Sequence, residues 1–61
     1  MRLWIARNYN NRIAVFDKEP IETYGVFVPP LGGTECYLPI NWFPEVTFEN
    51  SPKEVELKLV E

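Results

Sequence analysis

The chain has 61 residues, one cysteine, no histidine and a formal charge of −3. That length allows a single domain over 1–61 and, at this size, burial of only about 60% of the unfolded surface. An intrachain disulfide is excluded, a tetrahedral zinc site lacks its usual ligands, and neither a Ser-His-acid nor a Cys-His nucleophile can be assembled. A marginal core of this kind needs another support. Two routes remain: dense aromatic packing, with nine aromatic residues available, or a homodimer.

The six basic residues, Arg2, Arg7, Arg12, Lys18, Lys53 and Lys58, are scattered among nine acids. Phosphate binding needs clustered cations, so direct nucleic-acid binding is disfavoured. Leu3–Ala6 is far too short for a signal-peptide core, and no run approaches the roughly 18 apolar residues of a spanning helix. Together with the single cysteine, which reads as a small buried hydrophobe at Cys36, this points to a cytoplasmic protein with no membrane partner.

In chain order, residues 2–7 read as a strand rich in β-favouring side chains and bounded by arginines. Asn8-Tyr9-Asn10-Asn11 is a turn signal. The favoured form is a three-residue loop, Tyr9 to Asn11, with Asn11 left-handed and 12–17 as the returning strand. That register puts Leu3, Ile5, Ile13 and Val15 on one face and Trp4, Ala6, Ala14 and Phe16 on the other. Both faces are apolar, so the hairpin is expected to be covered on both sides. Lys18-Glu19-Pro20 ends the strand, and Ile21–Thr23 is a linker or short edge piece. Residues 24–28 read as a third strand, in which Gly25 marks a bulge or a close backbone approach. Pro29–Gly33 is a loop. Residues 34–38 form a fourth strand, alternating Cys36 and Leu38 against Glu35 and Tyr37.

Pro39 to Pro52 is the densest stretch in bulky anchors and breakers, a connector expected to cross the core. Pro39 starts a single helical or 3₁₀ turn over 39–43, Pro44 stops it, Val46–Phe48 is extended, and Asn50-Ser51-Pro52 turns the chain again. The tail alternates strictly over 54–59 and places Val55, Leu57 and Leu59 on one face of a strand. Its rival is a helix over 52–61, opened by Ser51 as N-cap and Glu54 as its capping-box partner. The expected fold is therefore all-β: a small, mainly antiparallel sheet or partial barrel of about five strands with one short helical turn near 39–43. With a helical tail it becomes α+β.

No catalytic, cofactor or metal constellation stands out. Gly32-Gly33 lacks a following lysine at phosphate-loop spacing, and the acid pairs Glu45/Glu49 and Glu54/Glu56 read as surface. The expectation is a non-enzymatic protein without cofactors. Trp4, Phe16, Phe27, Phe43 and Phe48 are assigned to the core and Tyr9 to the surface. Tyr24, Tyr37 and Trp42 are the candidate partner-binding residues, since tyrosine and tryptophan join large apolar area to one polar handle.

Two resemblances add to this. Trp42-Phe43-Pro44-Glu45-Val46-Thr47-Phe48 resembles the late stretch of SH3 domains, where a short 3₁₀ turn leads into the last strand. The Ala-Leu-Tyr-Asp-Tyr-type opening and the paired groove tryptophans are missing, so that likeness implies architecture alone. A longer one spans most of the chain. The Leu-Trp-Ile-Ala-Arg hairpin ending in Val-Phe, the Lys-Glu-Pro and the late Phe-Pro-Glu-Val-Thr-Phe-Glu-Asn-Ser-Pro-x-Glu-Val resemble a group of very short bacterial and phage-borne proteins. That resemblance implies a mobile-element accessory protein and no particular activity. The leading expectation is a protein-interaction module, with a protein partner or a second copy. The alternatives are an inhibitor that mimics nucleic acid through a stripe of Asp17, Glu19, Glu22, Glu35, Glu45, Glu49, Glu54, Glu56 and Glu61, and a weak single-stranded nucleic-acid binder stacking bases on Tyr24, Tyr37 and Trp42.

Overall fold

Arg2–Arg7 (β1) and Ile13–Phe16 (β2) form the hairpin on which everything else is built, paired Trp4 with Phe16, Ile5 with Val15, Ala6 with Ala14 and Arg7 with Ile13. This is the expected register. Asn8 N–H donates to the Arg12 carbonyl at 2.7 Å, and the three residues between them close the loop with Asn11 left-handed, φ 78°. Asparagine tolerates that conformation where most residues do not. The computed structural model describes residues 1–60; Glu61, counted among the acids and ending the alternative helix, lies outside them.

Glu35–Leu38 (β5) pairs with β2, and Lys53–Glu56 (β6) pairs with β1, giving an antiparallel sheet of order β5-β2-β1-β6. A second hairpin, Ile21–Thr23 (β3) and Val26–Val28 (β4), forms a two-stranded sheet. The described residues thus hold six strands and no helix, in open sheets with no closed barrel. The expected third strand over 24–28 is corrected here. Tyr24 and Gly25 are the two turn residues between β3 and β4, both left-handed at φ 51° and 81°. A two-residue turn with both centres left-handed matches the right-handed twist of its strands. Gly25 is therefore no bulge, but the close approach is real: a Cβ there would lie 3.1 Å from Tyr9 Cβ, and its carbonyl accepts Tyr9 N–H at 2.8 Å. Tyr24 pays for its position, since a non-glycine L-residue loses about 1–2 kcal/mol in this region. Its side chain is fully exposed. Replacing Tyr24 by asparagine, the residue this turn prefers, is expected to raise stability by about 0.5–1 kcal/mol. A denaturant midpoint that stays put or falls in Tyr24→Asn would contradict that account.

Each face of the β1–β2 hairpin is covered. On one, Ala6, Ala14 and Phe16 pack with Phe27 of β4, with Trp4 and Phe48 at the margin. On the other, Ile5 and Ile13 pack with Val46, flanked by Val15, Leu38 and Val55. The connector after β5 supplies Val46 to the second face and Phe48 to the margin of the first. This is why Val46–Phe48 forms no strand: a strand would send Val46 and Phe48 to the same side, whereas they pack on opposite faces of the hairpin. The turn at its start takes the 3₁₀ form of the expected turn: one i→i+3 hydrogen bond, Trp42 N–H to the Pro39 carbonyl at 3.0 Å, not continued into a helix. Its end is stitched by Thr47 and Asn50, each side chain accepting the other's N–H.

The tail takes the period-2 alternative. Ser51 caps no helix: its hydroxyl accepts Arg7 N–H at 2.9 Å and donates to the Thr47 carbonyl. The Ser51–Pro52 peptide is cis, and β6 starts at Lys53. The strand is shorter than 54–59: Val55 and Leu57 do share a face, but Leu57 and Leu59 are left exposed. Two core assignments are also corrected. Cys36 is exposed, because β5 is an edge strand whose start lies beyond the connector's cover. Phe43 is half-exposed, its carbonyl held by Arg7. At the base of the Pro29–Gly33 loop, Asp17 accepts Thr34 N–H at 2.7 Å, and that bond holds its carboxyl below the ordinary value.

Candidate functional site

The site begins with Arg7. By the strand period it shares the apolar face of Leu3 and Ile5, and it is 6% exposed. A buried guanidinium has five N–H donors to satisfy, and here each has a backbone carbonyl. Nε donates to Val46 at 2.6 Å, one terminal nitrogen to Asn11 and Ile40 at 2.9 and 3.0 Å, and the other to Trp42 and Phe43 at 2.8 and 3.1 Å. No carboxylate pairs with it; the two salt bridges among the described residues are Arg2–Glu54 and Lys58–Glu56. Four of the five carbonyls belong to residues 40–46, so one side chain of the central strand gathers the whole connector.

That gathering fixes Phe43 at φ 52°, the left-handed region, where a bulky residue is a genuine outlier. The Phe43 carbonyl is held from two sides, by Arg7 and by Val46 N–H at 2.9 Å. Strain of this kind persists only where the surroundings over-determine it, and it gathers at functional sites. Its consequence is that Phe43 does not turn under the sheet. Its ring stands edge-to-face with Trp42, centroids 6.4 Å apart, and both rings are close to half exposed.

Between this aromatic wall and the sheet lies an open groove of about 320 Å³. Leu3, Ile5, Val15, Leu38 and Val55 make its floor, Trp42 and Phe43 one wall, and Glu56 and Leu57 its far end. The lining is apolar except for Glu56. A mostly apolar cleft with few polar groups is the usual form of a recognition site, and this one sits at the lower end of the size range for small-molecule pockets.

The three aromatic candidates do not meet. Trp42 lines the groove. Tyr37 lies beside Ala14, on the opposite face from Leu38, and is stacked under the Arg12 guanidinium at 4.4 Å. Tyr24 is at the tip of the β3–β4 hairpin. No common stacking surface is formed. Of the acids, Glu54 and Glu56 lie beside Arg2 and Lys58, Glu22 accepts Gly25 N–H, and Asp17 accepts Thr34 N–H. Among the described residues no three His, Cys, Asp or Glu side chains converge as metal ligands, and no helix is long and apolar enough to cross a membrane.

Reasoning from sequence leaves Arg7 as a strand boundary and places Phe43 in the core, so it misses the part that each has in the site. Arg7 carried a signal, because a charge at a register position between core residues needs a buried set of acceptors. Phe43 carried none, since its conformation is imposed by Arg7 from a strand 36 positions earlier. No protein-family model, curated protein or solved structure matches the chain, so its activity has to be argued from these residues.

Proposed function

We propose that this protein is a non-catalytic interaction module whose groove takes the apolar side chains of an extended segment of a partner protein. The observation that carries this is the pairing of an apolar floor with two half-exposed aromatic rings that a buried arginine holds out of the core. Left to its own packing, a chain this short would be expected to fold such rings inward, because each buried aromatic adds substantially to a small core. An extended segment fits better than a compact ligand. The groove is lined by side chains of β1, β2, β5 and β6, so successive apolar anchors of an extended segment can enter it together.

Screening a display library of extended peptides and mapping the best binder by amide chemical shifts tests this. The expected shifts fall on Leu3, Val15, Leu38, Trp42, Phe43 and Leu57. A binder whose shifts gather instead on Tyr24, or on Arg12 and Tyr37, would overturn it. The separation of Tyr24, Tyr37 and Trp42 weakens the case for base stacking, and the pairing of Glu54 and Glu56 with Arg2 and Lys58 breaks part of the stripe that a nucleic-acid mimic needs.

A further inference from the structure

We infer that β6 is a self-complementary edge, and that two copies of the chain pair antiparallel along it with Leu57 opposite its own counterpart. The inference concerns the border of the groove and rests only in part on the reading of the groove itself, since Val55 and Leu57 belong to both.

The hydrogen bonds say which amides are free. Leu57 N–H donates to the Met1 carbonyl at 2.7 Å and Met1 N donates back to Leu57 O at 3.1 Å. Leu57 and Met1 are thus a mutually bonded pair. Bonded and non-bonded pairs alternate along an antiparallel ladder, so Val55 and Lys53 also face β1, opposite Leu3 and Ile5. The amides of Glu54 and Glu56 then point to the open edge, since β6 is the last strand of its sheet. Pairing extends the strand past Leu57, and the same alternation then brings Lys58 to that edge. Natural edges of this kind are usually blunted by charged side chains, proline or bulges; here the charges are of both signs and fall where a second copy can match them.

The side chains select the register. In a twofold antiparallel pair only even-numbered residues can be the bonded partners, so the axis passes through a residue. With the axis at Leu57, Glu56 faces Lys58 twice and Val55 faces Leu59 twice. The two Leu57 side chains then form a non-bonded pair, the closer of the two kinds. Every neighbouring axis is worse. Through Glu56 or Lys58 it sets a charge against its own copy, and through Val55 it sets Glu54 against Glu56. Like charges directly opposite are destabilising, while opposite charges and apolar pairs add favourably. The Leu57 register also covers what the single chain leaves in water: Leu57 is 57% exposed and Leu59 91%. The other outer strand, β5, offers no such match, with Glu35 as its one charge and Pro39 directly after it. The paired molecule would be a continuous eight-stranded sheet, with the two grooves meeting at the Leu57 pair.

The test is charge exchange read by sedimentation velocity over a wide concentration range. Glu56 and Lys58 are exposed, but Glu56 also lies opposite Arg2 across β1 and β6. Lys58→Glu leaves that pair in place and is the variant that reads pairing alone, and circular dichroism checks the fold of each. The parent chain is expected to dimerise. Glu56→Lys and Lys58→Glu alone each set like charges opposite one another twice, and each is expected to weaken the dimer by about tenfold or more. Mixing the two single variants is expected to restore a dimer of one copy of each, and the double exchange E56K/K58E to restore self-pairing. A parent chain that stays monomeric at every concentration overturns the inference, as do single variants that dimerise like the parent or a mixture that does not pair. A monomer that still binds an apolar peptide in the groove would sink the pairing and leave the proposed function standing. A dimer with an unoccupied groove would do the reverse.

Discussion

Arg7→Met is expected to cost about 3–5 kcal/mol, the scale for removing one partner of a buried charged network. Small domains have only about 5 kcal/mol or so to lose, so this variant should be largely unfolded or loosely packed at room temperature. Methionine fills much of the same volume, and it removes the desolvation cost of the guanidinium. What it cannot do is satisfy the carbonyls of Ile40, Trp42, Phe43 and Val46, which converge on the guanidinium from the connector. An unsatisfied buried acceptor costs about 1–3 kcal/mol, and those carbonyls reach water only if the connector lifts away. Val46 would then leave Ile5 and Ile13 uncovered. Arg7→Lys should fall between, since an ammonium offers three donors from one point in place of a planar fork. Urea titration in a Trp4→Phe background, followed through Trp42 emission, reads both the midpoint and the connector. A methionine variant within about 1 kcal/mol of the parent, with unchanged Trp42 emission, would mean that the network holds far less than its geometry implies.

Trp42→Ala should leave stability within about 1 kcal/mol, because the side chain is half exposed. It should weaken peptide binding in the groove by about 30-fold, the roughly 2 kcal/mol typical of an aromatic hot spot. The split between a small stability effect and a large binding effect is the informative part. A purely structural Trp42 would do the opposite. Tyr37→Ala is the control: it loses a cation–π contact worth about 0.5–1 kcal/mol on the far face and should leave binding unchanged. If Trp42→Ala binds like the parent while Tyr24→Ala or Tyr37→Ala does not, the groove is not the site.

The legible part of this chain was local. The Asn8–Asn11 turn, the facing of β1 against β2 and the covering of both faces follow from side-chain period and the conformational tolerance of asparagine, and they appear as expected. So does the strand choice for the tail, where strict alternation outweighed a capping box whose serine was needed elsewhere. The Tyr24-Gly25 turn was misread because tyrosine is a poor turn residue by propensity, and the favourable twist of the hairpin overrides that.

By itself, then, the sequence determined an all-β chain, a central hairpin apolar on both sides, and the exclusion of histidine-dependent chemistry and of an intrachain disulfide. It also set the alternating charges of the tail. The tertiary structure alone decided the site. Whether Trp42 and Phe43 lie under the sheet or beside it depends on where their carbonyls are drawn, and that is settled by one arginine on a strand far back in the chain. Such a constraint has no local signature, because its acceptors are backbone groups that every residue carries alike. The same holds for the separation of Tyr24, Tyr37 and Trp42: composition brought them together as a class, and pleat and topology sent them to three different places.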